Sequence, residues 1–441
     1  MAGRRQLLLP LCSLVRGRPM RRFAATTACA LLLSAAFAFP APAADWTQFR
    51  GPGGSGLTDE SDLPTSWSES ENVKWTVDVP GMGWACPIVV DGRVIIATAI
   101  SDGEKNKDSD TRWELHCFDA DTGDVLWTKL AAEGKPRIGT HGDNTYASET
   151  PATDGERILA YFGMTGVYCY DLDGNLLWDK DLGAYPMRND WGTASSPVLL
   201  DGLAYIQVDN EQESFLVALD AATGDEKWRK TRDETSNWGS LVVWENSKRT
   251  ELVAIGETVR SYDPANGEVL WEVRLSGGGA NSSPATAGDL LVVGNSGRRD
   301  PGALVAVRAG GSGDLSAEGN DGLLWRVDGS GPSRSSPLIY EGYVYLLGGR
   351  GGIVSCLNAE TGEPAYRERM PSGGSFWASP YAYEGRIFCP ADNGVTYVLK
   401  PGPEFELLAT NKLEGRFWST PAIANGALFI RSVDKLYCVG K

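Results

Sequence analysis

Six large or polar side chains recur at one position of a repeated sequence phrase, and their types suit ligand recognition. The phrase is a short side chain followed, in seven of its eight instances, by proline. Three positions before that proline, or before Leu241 where the proline is missing, stand Trp84, Trp238, Asn281, Arg334, Trp377 and Trp418. Aromatic rings beside a few polar donors are typical of recognition surfaces, and they suit sugars, quinones or peptide side chains.

Other residues are expected near these six. Phe376, Phe417 and Trp191 adjoin three of the phrases, and Arg188, Asn189 and Asp190 precede Trp191. His141 lies in a long connection, residues 134–148, that can fold over the same place with Arg137, Asn144 and Tyr146. Two alternatives stay open: the aromatic rings fill space as core, and His141 is only a hydrogen-bonding loop residue.

Catalytic chemistry has little support in the sequence. The chain contains two histidines, His116 and His141, which excludes histidine-rich metal centres and leaves at most one histidine for a catalytic triad. Phosphate-binding, calcium-binding and serine-nucleophile motifs are absent. We therefore assign no catalytic residue and no metal ligand, and we expect no cofactor.

The elements that position these residues are β-hairpins. An Asp- or Thr-containing turn with glycine, followed four residues later by tryptophan, recurs along the chain, as in Gly123 to Trp127 and Gly224 to Trp228. Each turn follows a short apolar run, so strand, turn and strand make a hairpin. The proline phrase opens a second hairpin, such as the one around Asp91-Gly92.

Two hairpins per repeat make a four-stranded antiparallel unit of roughly 40–50 residues, which is typical of β-propeller blades. Eight inner-strand starts predict an all-β, eight-bladed propeller over residues 72–441. The chain ends after the third strand of its last unit, so an N-terminal strand near Asn72–Trp75 must complete that blade. Residues 45–71 are expected to form an extended segment over an edge or face.

The N-terminus and the charge balance indicate an exported protein. Residues 1–44 read as a cleaved signal peptide whose true start can be Met20, with basic residues, an apolar run and an Ala-Pro-Ala cleavage site. Without these residues, which hold six arginines and no other charged side chain, the net charge is −22. Such a negative charge disfavours nucleic-acid binding, because it repels the phosphates. We expect a periplasmic or secreted monomer without a membrane span.

Two residue classes are expected to be structural. Trp75, Trp127, Trp178, Trp228, Trp271 and Trp325 fill the widening wedges between blades. Four cysteines, Cys117, Cys169, Cys356 and Cys438, share one repeat position that other blades give to alanine or serine. We expect all six cysteines after residue 44 to be buried free thiols. Residues 309–321, rich in glycine and serine, are expected to form a flexible excursion.

The glycine-to-tryptophan turns resemble the tryptophan-docking motifs of quinoprotein propellers. From about residue 45 to its end the chain resembles the PQQ-like (pyrroloquinoline quinone-like) propeller repeat family, which includes the BamB-type outer-membrane assembly factors. More narrowly, residues 46–52, 144–148 and 191–197 resemble a secreted group common in planctomycete-like bacteria. The resemblance implies the fold, but most relatives in that group have no assigned activity.

Three functions follow as hypotheses. The first is an exported, non-catalytic binding or scaffold module for an envelope protein or glycan. The second is a quinoprotein oxidoreductase or redox-associated subunit that binds PQQ with Ca²⁺; a vicinal cysteine pair and a haem-attachment motif, common in that class, are both missing. The third is assembly-factor activity of the BamB type. Candidate binding residues in all three are Trp84, Trp191, Trp238, Asn281, Arg334, Trp377, Trp418 and His141.

Overall fold

Eight antiparallel sheets succeed one another along the chain, which confirms the eight-bladed β-propeller. The structure is a computed structural model that describes residues 45–441 except 104, 276–278, 298–299 and 372. The predicted signal peptide lies outside the described residues. No helix in the described part of the chain has the length and apolar character needed to span a membrane.

The strands fall into blades as follows. The first strand, β1 (Val73–Asp78), belongs to the last blade. Blades 1 to 3 contain β2 (Ile88–Val90), β3 (Arg93–Ser101), β4 (Thr111–Asp119) and β5 (Val125–Gly134); β6 (Ala152–Thr153), β7 (Arg157–Tyr161), β8 (Val167–Asp171) and β9 (Leu176–Lys180); and β10 (Val198–Leu200), β11 (Leu203–Val208), β12 (Phe215–Asp220) and β13 (Glu226–Thr231). Blades 4 and 5 contain β14 (Val242–Glu245), β15 (Thr250–Ala254), β16 (Thr258–Tyr262), β17 (Val269–Arg274) and β21 (Gly313–Asp314); and β18 (Ala285–Ala287), β19 (Leu290–Asn295), β20 (Ala303–Arg308) and β22 (Leu323–Asp328). Blades 6 to 8 contain β23 (Leu338–Tyr340), β24 (Tyr343–Leu347), β25 (Ile353–Asn358) and β26 (Pro364–Arg369); β27 (Tyr381–Tyr383), β28 (Arg386–Pro390), β29 (Val395–Leu399) and β30 (Leu407–Lys412); and β31 (Ala422–Ala424), β32 (Ala427–Arg431) and β33 (Lys435–Gly440) with β1. Two single-turn 3₁₀ helices cover Pro52–Gly54 and Arg188–Asp190.

The strand sequences explain the layering of each blade. Central strands such as β8 and β12 are buried almost throughout, because the neighbouring blades cover both faces of the sheet. Outer strands such as β13 alternate between exposed and half-buried residues, with Trp228 on the half-buried side. The apolar core is therefore a set of clusters between blades rather than one central mass.

The outer-strand tryptophans pack on the next blade. Trp178 donates its indole N–H to the carbonyl of Ala221 at 3.0 Å, and its ring covers Gly224 in the following turn. Gly224 has a φ of +75°, and a Cβ there would lie 2.7 Å from the indole. The glycine therefore serves both the turn and the ring that rests on it. The same N–H contact to the next blade is made by Trp75, Trp127, Trp228 and Trp325.

The recurring cysteines lie directly opposite these tryptophans. Cys117 pairs with Trp127, Cys169 with Trp178, and Cys438 with Trp75, each beside a β-bulge or register irregularity. In blade 3 the same place is taken by Ala218. The position requires a short side chain because the indole occupies the adjacent space. All six cysteines of the described chain are buried and unpaired, as predicted.

Blade 4 departs from this pattern. The excursion at residues 309–321 contributes β21, which pairs in parallel with β17 and adds a fifth strand. Trp271 is consequently fully buried, and it donates to the carboxylate of Glu251 at 2.6 Å instead of to the next blade. The expectation of a wholly flexible excursion was wrong, because backbone pairing with the outer strand orders part of it.

The ring closes through its two ends. β1 pairs antiparallel with β33, with Thr76 opposite Tyr437. This confirms the predicted closure by an N-terminal strand. Because the last blade takes its outer strand from the start of the chain, the ring has no open sheet edge between its first and last blades.

Residues 46–57 cross the central channel beneath the inner strands. Trp46 exchanges two backbone hydrogen bonds with Val89 in blade 1, and Ala382 in blade 7 donates to the carbonyl of Gly56. Between these points Arg50, fully buried, donates to the carbonyls of Pro337 at 2.6 Å and Pro284 at 3.3 Å. We call this crossing segment the floor, because it closes the channel at one end.

Candidate functional site

All eight predicted site residues line one open cavity at the end of the channel opposite the floor. The cavity has a volume of about 1140 Å³, and we call it the cup. The five tryptophans and Arg334 are half-buried, and His141 and Asn281 are exposed. The tryptophans therefore surround the mouth of the channel without filling it. Their role in binding stays a prediction.

One wall of the cup is a column of stacked planar groups. Trp418 stacks on Trp377, with ring centroids 3.8 Å apart, and on Trp84, at 4.5 Å. The guanidinium of Arg334 lies 3.5 Å from the ring centroid of Trp377. These residues come from blades 6, 7, 8 and 1, which are neighbours in the ring. We call the four residues the indole stack.

The opposite wall is held by hydrogen bonds. Trp191 and Trp238 lie 5.6 Å apart with their rings tilted, and Trp238 donates to the carbonyl of Gly192 at 2.7 Å. His141 meets Trp191 edge-on, and its Nδ1 accepts from the backbone N–H of Asp143 at 3.0 Å. His141 thus orders its own loop, which agrees with the alternative that it is a hydrogen-bonding loop residue. It also lines the cup.

Lys105 fixes that loop over the rim. Its ammonium group donates to the carbonyl oxygens of His141 and Gly142, each at 3.1 Å, and to that of Asn144. Burial lowers the pKa of Lys105. The tip between β3 and β4 and the 134–148 connection therefore form one side of the mouth together.

The lower part of the cup carries a closed ring of hydrogen bonds between blades. The backbone N–H of each residue just before the inner-strand proline, or before Leu241, donates to the side chain at the same position in the next blade. Seven of these bonds end on hydroxyl oxygens at 2.8–3.0 Å, and the eighth ends on a thiol at 3.2 Å. We call the eight residues the hydroxyl ring: Cys86, Thr150, Ser196, Ser240, Ser283, Ser336, Ser379 and Thr420.

The sequence contained a signal for this ring that our reasoning missed. All eight residues line the cup, and seven carry a hydroxyl group. A hydroxyl at one position in seven of eight repeats, with cysteine in the eighth, indicates a shared acceptor rather than a mere need for small size. Phe49 of the floor also lines the cup, so the cavity is closed below.

Several residues expected at the mouth lie elsewhere. Phe376 and Phe417 are buried in the core between blades. Tyr146 packs in the core against Trp113, and Arg137 pairs with Asp181 at 2.8 Å. These corrections share a cause, because neighbours in sequence along an extended chain point to opposite faces. Asn144 and Arg188 do line the cup.

The charges on the cup are mostly positive. Arg188, Arg334 and Arg350 line it, against the single carboxylate of Asp143. Arg188 lies 3.4 Å from Glu211, whereas Arg334 and Arg350 have no ion pair among the described residues. Burial and the nearby Arg350 lower the pKa of Arg334. On a chain of net charge −16, this is a local reversal of sign.

The donor set of the cup does not fit calcium. Ca²⁺ takes six to eight oxygen ligands, several of them carboxylates. Within the described residues no three His, Cys, Asp or Glu side chains form a group that could hold a metal ion. Hydroxyl and guanidinium groups can contact the carboxylates of a quinone such as PQQ, but the described residues provide no carboxylate cluster for the calcium that would accompany it.

Comparisons with known proteins find a matching family and similar solved structures. A profile of the protein family described as outer membrane protein assembly factor BamB matches residues 57–237, 163–318, 255–351 and 313–402. Among solved structures, BamB from Moraxella catarrhalis is similar with a TM-score of 0.58 and 11% identity, over 84% of this chain and 97% of that one. A europium-containing methanol dehydrogenase is similar with a TM-score of 0.50 and 11% identity, over 81% and 89%. No curated protein matches the sequence.

Proposed function

The chain belongs to the family of the outer membrane protein assembly factor BamB, and from this premise we propose that it is an exported binding module without chemistry of its own. Its partner is a protein or glycan of the cell envelope, part of which enters the cup. The observation that carries the proposal is that the cup is open above and closed below. A cavity that is open at one end only, with aromatic and cationic side chains in its wall, can hold a group that enters it. A channel open at both ends would let that group pass through.

Export is part of this proposal. Cleavage after residue 43 or 44 would leave a mature chain that starts just before Trp46, the first residue of the floor. Intact-mass measurement of the protein from the periplasmic and culture fractions gives the mature N-terminus. Recovery of only the uncleaved chain from the cytoplasm would contradict export.

The binding role is tested by removing rings from the indole stack. We expect Trp377→Ala and Trp418→Ala to lose the partners that the wild-type protein captures from envelope extract. Leu177→Ala is the matched control, because Leu177 is 48% exposed on the outer strand β9, away from the cup. Far-ultraviolet circular dichroism and thermal unfolding verify that each variant is folded. An unchanged set of captured molecules with a folded Trp377→Ala variant would contradict the proposal.

An assembly-factor role of the BamB type is the alternative favoured by the family profile. It predicts that the captured set consists of outer membrane proteins in an unfolded state. Release of these proteins by an excess of unfolded outer membrane protein, and not by envelope glycans, would support this alternative over a glycan partner.

A quinone-binding oxidoreductase is the remaining candidate, and the positive lining of the cup favours it. The missing calcium ligands oppose it. Titration of the purified protein with PQQ, with and without Ca²⁺, distinguishes a quinone-binding oxidoreductase from a binding module without chemistry. Absorbance and tryptophan fluorescence are the measured signals. We expect no saturable change, and a calcium-dependent saturable change would replace the binding-module proposal with this one.

A further inference from the structure

The planar groups of the indole stack cover one another's faces. Trp418 stands between Trp377 and Trp84, and the second face of Trp377 is covered by Arg334. Both faces of Trp377 and of Trp418 are therefore occupied, and the indole N–H of Trp84 already donates to the carbonyl of Asp143 at 3.0 Å. The stack is a wall of the cup, and it leaves the recognition of an occupant mainly to other groups.

The hydroxyl ring adds unused hydrogen-bond donors below the stack. Ser196, Ser240, Ser283, Ser336 and Ser379 each accept a backbone N–H through the side-chain oxygen. In the described part of the chain, none of these five hydroxyls donates to a protein acceptor. A hydroxyl group carries one donor and two acceptor sites, so five protons remain for groups inside the cup.

The arginines of the cup, like the hydroxyl protons, favour an occupant with acceptor or negatively charged groups. Arg334 donates to the carbonyl of Gly349 at 3.2 Å, and the exposed Arg350 makes no hydrogen bond to described residues. The guanidinium groups of Arg334 and Arg350 repel each other, and among the described residues neither forms an ion pair with the nearby Asp143 or Asp392, so an anion beside them is favoured. Hydroxyl protons and guanidinium groups therefore both favour an occupant rich in acceptors.

We propose that the cup binds an anionic glycan, with carboxylate or sulfate groups held by Arg334 and Arg350 and with sugar oxygens accepting from the hydroxyl ring. This inference rests on the proposed binding function and names its ligand class. A glycan suits the hydroxyl ring, because each sugar hydroxyl both donates and accepts a hydrogen bond and each serine of the ring has one proton and one acceptor site left. The cavity volume of about 1140 Å³ is slightly larger than that of most small-molecule sites, which leaves room for a short oligosaccharide.

The test compares charged sugars with neutral forms of the same skeleton. Oligogalacturonate and its methyl ester probe carboxylates, a sulfated carrageenan oligosaccharide and its desulfated form probe sulfate esters, and hexaglutamate probes an acidic peptide. By calorimetry we expect one charged sugar to bind at least about tenfold more tightly than its neutral form, with weakening as salt rises. Whichever pair shows this difference identifies the anionic group.

Variants locate the contact on the cup. Arg350→Gln and Arg334→Gln are expected to weaken binding of the charged sugar about tenfold each. Arg188→Gln is the matched comparison, because Arg188 lines the same cup beside Glu211, and we expect less than about a threefold loss. Equal binding of charged and neutral sugars, tighter binding of hexaglutamate, or an equal loss in Arg188→Gln would overturn the proposal. So would the absence of sugar binding, while capture of a partner that depends on Trp377 would still support the broader binding function.

Discussion

The two ends of the central channel use the same kinds of side chain to opposite effect. At the floor, Arg50 is fully buried and donates to the carbonyls of Pro284, Pro337 and Ser55. At the mouth, Arg334 donates to one carbonyl, and Arg350 to none among the described residues. The number of protein partners therefore separates a structural arginine from one available to a ligand, and residue type alone does not.

The tryptophans show the same contrast. Trp178 fills a wedge between blades and donates to the carbonyl of Ala221, whereas Trp377 contacts stacked neighbours and makes no hydrogen bond to described residues. Changes at positions with protein partners should therefore lower stability, and changes at the mouth should lower binding. Four comparisons test this difference.

The largest effect is expected from the wedge tryptophan. Trp178→Ala leaves a cavity between blades 2 and 3 and removes the indole donor to the carbonyl of Ala221, so we expect the free energy of unfolding to fall by about 3 kcal/mol. Trp377→Ala should lower it by about 1 kcal/mol, the strength of an aromatic contact. Urea unfolding followed by circular dichroism measures both. Equal losses would mean that the mouth tryptophans are core.

The floor arginine should come next. Arg50→Ala removes the donor to three carbonyls, and we expect a loss of about 2.5 kcal/mol in the free energy of unfolding. Arg350→Ala, at the mouth, should change it by less than about 0.5 kcal/mol. The same urea unfolding experiment compares them. A large loss for Arg350→Ala would show that it has a structural partner after all.

A buried carboxyl beside the mouth gives a pH-dependent test. Glu149 is fully buried, its Oε1 has no hydrogen-bond partner among described residues, and burial raises its pKa from 4.5 to about 7. The native state therefore holds this proton more tightly than the unfolded chain, so its contribution is complete below pH 4.5 and is lost as pH rises to about 7.

Replacement of Glu149 by glutamine should remove that loss. At pH 8 we expect Glu149→Gln to be more stable than the wild-type protein by about 2 kcal/mol, with no difference of that sign at pH 4. Thermal unfolding across this range provides the measurement. A wild-type advantage at pH 8 would indicate that the carboxylate is ionised and satisfied in the folded protein.

The smallest effect is expected in the hydroxyl ring. Ser283→Ala leaves the backbone N–H of Ser240 without its acceptor, and we expect a loss of about 1 kcal/mol. Ser283→Thr keeps the hydroxyl and should restore the stability. If alanine were neutral, the N–H would have to find another acceptor, and the hydroxyl at this position would serve the ligand alone.

The fold was predictable because each blade repeats its own local signals. Glycine turns and apolar runs recur from blade to blade, a wedge tryptophan recurs in six of the eight blades, and the missing last strand could be assigned to the start of the chain. Positions at the mouth were equally predictable, because a fixed offset from the inner-strand proline fixes the height of a residue along the channel.

Contacts between distant segments were not predictable in the same way. The path of residues 46–57 across the channel depends on Arg50 meeting carbonyls more than 200 residues away, and no local pattern encodes such a contact. Side-chain orientation at single positions, as for Phe376 and Tyr146, depends on the strand path immediately around them. The hydroxyl ring was predictable in part. Its residues recur at one position of the repeat, but their hydrogen-bond partners lie in the neighbouring blade.

The pairing of β1 with β33 has a consequence for the order of folding. β1 stays without its partner until β33 is available, and almost the whole propeller sequence separates these two strands. Contacts of this kind slow folding, because the ends of a long loop must meet before the contact is gained. Until they meet, β1 and the incomplete last blade each expose an unpaired strand edge, so the chain is most vulnerable to aggregation before this pairing forms.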